Sequence, residues 1–426
     1  MYTPSRRGTG RPFRRGTFTA SSSPRYSPWD KREPTEEELL KGTIGKIDTI
    51  EAPSPDAGVS ADVSIKGFET VASYSWQDQQ KPTIIVPGCP PVWRNRAMPY
   101  VVARDSGTVY TDQNAARLSA SPLLPMISAV SHFAPEFHLA DVDFVTDRNG
   151  LRKLWRWAVN DPKAGTFRID IDMVGEKTIL MQRWDLELTQ QGGPGYEKEF
   201  EAASTTPGPG CELAVGHHRI ISYDLDGLKM LVRYKADACL PTEATKTPQS
   251  TKSTSSDPFA DLISGIGRLS VSSRLAENKE VKEIKTSKGT LQIVSGGNFV
   301  PQSSLVELKT RSIHNAANID WAETYPQLLL SQTPTMFVCI HERGTFQQID
   351  KKTLHESELE SYAREAQDGL RLLRKILGTI QDIALDAGDG AKLSLICRKG
   401  VRTMDVCERK EETGLLPKEV LDDFEL

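Results

Sequence analysis

The stretch Ser304-Leu305-Val306-Glu307-Leu308-Lys309-Thr310-Arg311 constrains the fold most, because it sets a carboxylate and an amine two residues apart inside an apolar run. Successive side chains of a strand point to opposite faces, so Glu307 and Lys309 project together while Val306 and Leu308 pack behind them. On an exposed strand the same spacing gives only a solvated pair of little energetic weight. Upstream, Leu228 to Asp237 reads as another strand, and it ends in an acid.

The elements around these strands alternate in type. Strand patterns run through Gly45–Ile50, Val63–Tyr74, Thr83–Val86, Ala140–Arg148, Thr166–Met173 and Lys177–Leu188, with helical segments at Leu123–Ser131 and Asn149–Val159. Asp226-Gly227 between two β-rich runs signals a hairpin. His217 and His218 at its mouth point to opposite sides of a strand, so they read as surface or structural rather than as a metal pair. Gly192-Gly193-Pro194-Gly195 breaks the chain before a helix at Tyr196–Ala203 that carries Glu197, Glu199 and Glu201. Further helices are expected at Ile319–Ser331 and Glu356–Leu385, with strands at Thr335–Ile340, Thr345–Ile349, Leu393–Cys397 and Thr403–Cys407. The class is therefore α/β or α+β, with mixed central sheets flanked by helices.

Composition separates the folded part from the rest. The chain has 426 residues, and the reading is a single domain over 39–426 preceded by a disordered basic arm over 1–38. That arm holds Arg6, Arg7, Arg11, Arg14, Arg15 and Arg25 among Gly, Ser, Thr and Pro, with Phe13, Phe18, Tyr26 and Trp29 able to stack on bases. It reads either as nuclear targeting and non-specific RNA contact or as a plain solvated tail. From about 241 to 297 the composition turns to Ser, Thr and Lys, which reads as a low-complexity insertion between core strands. A net charge of −4 argues against a uniformly nucleic-acid-coating protein, so phosphate binding must come from local basic patches. The six cysteines form no C-x-x-C pair, and no secretory signal or membrane span is read, so a reducing compartment is expected.

An acid on one strand and Glu-x-Lys on another is the arrangement of a metal-dependent nuclease. The ordered set of Arg148, Glu201, Asp237, Glu307-Leu308-Lys309-Thr310 and Gln327 resembles the DXO/Rai family of RNA 5′-end decapping enzymes. Phe144 to Leu154 is similar to the family's arginine motif, Gly195 to Glu201 to its Gly-Tyr-x-Phe-Glu helix with extra residues, and Val306 to Thr310 to its Glu-Leu-Lys-Thr strand. The likeness spans about Leu39 to Leu426 without the insertion. It implies a PD-(D/E)XK nuclease-like core and a divalent-metal-dependent 5′-end decapping hydrolase, with 5′-to-3′ exoribonuclease activity as a further expectation.

The roles implied by the resemblance are these. Asp237, Glu307 and the Leu308 carbonyl would bind Mg²⁺ or Mn²⁺, and Glu201 would contribute directly or through water. Lys309 would orient or help deprotonate the nucleophile, and Arg148 and Gln327 would hold RNA phosphates. The expected partners are RNA 5′ ends and a protein such as a 5′-to-3′ exoribonuclease, the chain being a monomer in the nucleus alone or in nucleus and cytoplasm. One departure stands out: where the family has Glu-x-Asp, this chain has Lys235-Ala236-Asp237. Residues 235 and 237 share a strand face, so the Lys235 ammonium is expected to take part of a second ion's role, contacting Glu307 or a substrate phosphate. The alternative is a catalytically weakened or inactive RNA-end-binding or partner-binding module on the same fold. A DNA-directed nuclease is a third reading, for which no residue argues.

Overall fold

Short apolar runs closed by tight turns shape the computed structural model, which describes residues 32–54, 61–242, 245 and 281–425. Asp226 and Gly227 both take positive φ, 49° and 86°, as a two-residue hairpin turn requires. They join Ala214–Leu225 to Lys229–Ala236 in antiparallel register. Among the described residues these two strands lie at the middle of a 12-stranded sheet whose edges are Thr43–Glu51 and Val281–Thr286. Both faces of that middle are covered. On one side the helices Arg148–Ala158, Trp321–Ser331 and Glu360–Ala387 share a core with Val232, Tyr234 and Ile171; on the other, Leu124–Phe133 packs against Tyr74, Ile220 and Leu231.

Among the described residues a second sheet, of seven strands, is built around Leu305–Ser312, which runs parallel to Thr335–Glu342. Val306 and Leu308 do pack behind this strand, in a cluster with Trp93, Phe200, Phe337 and Phe346. The two sheets are linked by one continuous segment. Lys229–Ala236 ends the larger sheet's central strand, Asp237 makes the step, and Ala238–Cys239 pairs with Leu305 and Val306 in the smaller sheet. Asp237 therefore stands at the seam between the sheets.

The structure corrects three expectations. Residues Val281–Gly297 are not part of an insertion: Gly289–Gly297 pairs in parallel with Thr83–Gly88 inside the larger sheet, and Val281–Thr286 pairs with it as the outermost strand. The remainder of the expected insertion, like most of the basic arm, lies outside the described residues. The end of that arm is a short helix, Glu36–Leu39, with a capping box between Thr35 and Glu38. The strand expected over Ala140–Arg148 is a 3₁₀ turn at Leu139–Asp141 followed by a strand at Phe144–Asp147 only. Of the two readings of His217 and His218, surface or structural, the structural one holds: both are buried, because the strand that carries them is central. Ser75 Oγ meets His217 Nδ1 at 2.9 Å, while His218 stacks on Tyr74 and burial pushes its pKa down to about 3.

Candidate functional site

The site forms at the seam between the sheets, from the helices Arg148–Ala158, Glu197–Ser204 and Trp321–Ser331 and the strands Lys229–Ala236 and Leu305–Ser312. Phe144–Asp147 lies parallel to the middle of Lys229–Ala236, and the chain then enters the helix Arg148–Ala158. Asp147 occupies the N-cap position, yet its carboxylate pairs with Arg233 at 2.7 and 3.1 Å instead of capping. This pair fixes the strand end and with it the first helical residue, Arg148. The helix Glu197–Ser204 is positioned from the other side. Asp105 accepts the Glu197 and Glu199 N–H groups at 3.0 and 3.1 Å, and Phe200 is buried against Tyr100 and Phe346. With Phe200 inward, Glu201 faces the seam.

Two clusters of charge result. In the first, the Lys235 ammonium donates to Glu201 Oε2 at 3.0 Å and to Asp237 Oδ1 at 3.2 Å. Asp237 Oδ2 accepts the Leu308 N–H at 3.1 Å. In the second, Glu307, 7% exposed, accepts from Arg148 Nη1 at 3.0 Å through Oε2 and from Gln327 Nε2 through Oε1. Arg148 also donates to Ser331 Oγ at 3.2 Å and lies over the Tyr234 ring. The Asp237–Leu308 hydrogen bond joins the clusters, since Leu308 follows Glu307 on the same strand.

Electrostatics follows from this packing. Desolvation works against the Lys235 ammonium, but Glu201 and Asp237 outweigh it and hold its pKa above the ordinary lysine value. Desolvation also raises the Glu201 carboxyl, with Lys235 opposing and Asp237 adding to the rise. Glu197, one turn earlier on the helix and exposed, is raised by desolvation first; Lys309 opposes and Asp237 and Glu307 add. Lys309 thus reaches the same field from the Glu307 face of its strand.

The site residues that the resemblance implies lie together at this seam, but several have other partners there. Arg148 and Gln327, expected to hold phosphates, are committed to Glu307. Lys235 contacts Glu201 and Asp237, not Glu307. Leu308 meets the centre through its N–H, which Asp237 accepts. Three side chains were missed: Arg152 donates to Glu323 at 2.8 Å and to Asn149, and Arg156 pairs with the same Glu323. Desolvation, then Arg148 and Arg156, lower the Arg152 pKa to about 10. Their signal was the spacing of four residues, Arg148, Arg152, Arg156 on one helix and Glu323, Gln327 on the other.

These residues do not fit a divalent cation as they stand. Of the six oxygens on Glu201, Asp237 and Glu307, five already accept a hydrogen bond from the protein. Hard cations need carboxylate oxygens that converge on one point, and here the acids are drawn apart around separate cations. Among the described residues no group of three or more His, Cys, Asp or Glu is arranged to hold a metal.

Comparison with known proteins gives the fold a place. The structure matches Scheffersomyces stipitis Rai1 in complex with (3′-NADP)⁺ and calcium ion, at TM-score 0.56 and 11% identity, covering 89% of this chain and 99% of that one. It matches Candida albicans Rai1 in complex with pU5 and Mn²⁺ at TM-score 0.54 and 11% identity, over 89% and 99% of the two chains. S. pombe Rai1 in complex with 3′-FADP matches at TM-score 0.53 and 12% identity, over 85% and 99%. The fold is that of these Rai1 structures, as the motifs implied. No curated protein matches the sequence. Residues 47–424 match the model of the family described as a domain of unknown function, DUF8563, and the chain belongs to that family.

Proposed function

We propose that this protein binds RNA 5′ ends at the seam between its 12-stranded and 7-stranded sheets. The observation that carries the reading is the row Glu307, Lys309, Arg311 on one face of its strand. Glu307 is fully engaged, whereas Lys309 and Arg311, both half-buried, have no carboxylate within ion-pair distance among the described residues. Two cations in line, neither held in an ion pair among the described residues, suit successive phosphates of a strand whose end lies at the centre. Support comes from Candida albicans Rai1, a structure of this fold crystallised with pU5. The basic arm adds non-specific phosphate contacts and nuclear targeting, and a 5′-to-3′ exoribonuclease is the protein partner we assign.

The test compares one RNA sequence bearing a 5′-triphosphate, 5′-monophosphate or 5′-hydroxyl in anisotropy titrations. The phosphorylated ends are expected to bind roughly tenfold tighter, the worth of one charge-assisted hydrogen bond. Equal affinities would remove the 5′ end from the reading. Lys309→Ala and Arg311→Ala should each weaken binding and reduce the salt slope by about one phosphate contact. An unchanged slope in both would place the strand away from the RNA.

A second reading, a metal-dependent decapping hydrolase with a PD-(D/E)XK centre using Mg²⁺ or Mn²⁺, is favoured by the presence of Glu201, Asp237, Glu307 and Lys309 together at the seam. It requires Lys235 to leave its two carboxylates. Release of a cap or nucleotide from capped, triphosphorylated or NAD-initiated RNA in Mn²⁺ would establish it.

A further inference from the structure

We infer that Lys235 is the resident cation of this centre, its ammonium standing in the place of a divalent ion, so that RNA 5′ ends are held without metal and are not hydrolysed. The inference deepens the 5′-end reading and rests on it for the ligand, though not for the cation. Three observations converge. Lys235 and Asp237 flank the step between the sheets and point to one face, and the ammonium bridges Asp237 to Glu201 at 3.2 and 3.0 Å. A metal ion would have to approach the same two oxygens.

Charge is the second observation. Glu201, Asp237 and Glu307 face Lys235, Arg148 and Lys309, a set that is neutral with no metal present; Glu197, exposed at the rim, adds one acid. A divalent ion would leave the three acids and three cations two units positive, and one unit positive with Glu197 counted, against its own binding. The third is the locking of Glu307 by Arg148 and Gln327, both buried, which withholds the remaining carboxylate from any ion near Asp237. With no ion to lower the pKa of a water, Lys309 alone has no activated nucleophile to orient.

The test is Mn²⁺ calorimetry on the full chain, wild type against Lys235→Glu and Lys235→Met, with the free-Mn²⁺ paramagnetic resonance signal as a second measure. Wild type should show no stoichiometric binding into the millimolar range, and its thermal midpoint should not respond to Mn²⁺. Lys235→Glu changes the centre by two charge units and should bind at least about tenfold tighter than wild type. Lys235→Met, which keeps the length and loses the charge, should fall between them. Should Lys235→Glu not fold, Lys235→Met and the wild-type signal still decide. Wild type binding Mn²⁺ stoichiometrically, or as tightly as either variant, overturns the inference. The RNA arm is separate: a wild-type protein that binds no Mn²⁺ and shows no preference for a 5′ phosphate defeats the 5′-end reading, while the cation assignment is supported by the titration.

Discussion

Arg233→Ala is expected to lower the free energy of unfolding by about 3–5 kcal/mol, the cost of leaving one partner of a buried ion pair uncompensated. Arg233 has no exposed surface, and it grips Asp147 with two nitrogens while also donating to the Pro122 carbonyl at 2.8 Å and the Tyr74 hydroxyl at 3.3 Å. Removing it strands Asp147 between two covered faces of the sheet and leaves a void beside Tyr74. Asp147→Asn, which keeps the shape and removes the charge, should cost less alone and should recover part of the loss when combined with Arg233→Ala. Urea titrations at neutral pH measure both. A loss under about 1 kcal/mol for Arg233→Ala would put the pair in water. Because Asp147 directly precedes Arg148, RNA binding should weaken along with stability.

Arg148→Ala is the second large effect, expected at about 3 kcal/mol or more, since it leaves the Glu307 carboxylate buried with only Gln327 for company. Arg148 is 8% exposed and Glu307 7%, so water cannot readily replace the guanidinium. Glu307→Gln should be milder, because a neutral amide leaves Arg148 an acceptor and leaves no buried anion. The double variant should then be more stable than Arg148→Ala alone, a coupling that a double-mutant cycle reads directly. Were the two single losses simply to add, Arg148 would owe its place to Ser331 and Tyr234 rather than to Glu307.

Local chemistry made much of this fold legible. Asp226-Gly227 between apolar runs specifies its hairpin wherever it sits, and the spacing of Glu307 and Lys309 fixes a shared face on any strand. What was not legible depends on distant partners. Arg148 lies 159 residues from Glu307, and nothing within either segment says that the guanidinium will turn to that carboxylate and not to a phosphate. Val281–Thr286 read as part of a solvated insertion because it is an edge strand, mostly exposed and carrying Lys282, Glu283 and Lys285, as edge strands do. For His217 and His218 the alternation left two readings, surface or structural, and the covered strand decides it: neither direction leads to solvent, so both are structural. Lys235 was legible as a departure at a known position, but its partners were not: the face was right, while Glu201 rather than Glu307 receives the charge.

The most direct test of the centre is the affinity of wild-type protein for a 5′-monophosphorylated RNA measured first in excess chelator and then in Mn²⁺. With Lys235 as the fixed cation, the dissociation constant should be the same in both, and the RNA should be recovered intact from the Mn²⁺ sample. Binding that appears only with Mn²⁺, accompanied by cleavage at the 5′ end, would contradict it.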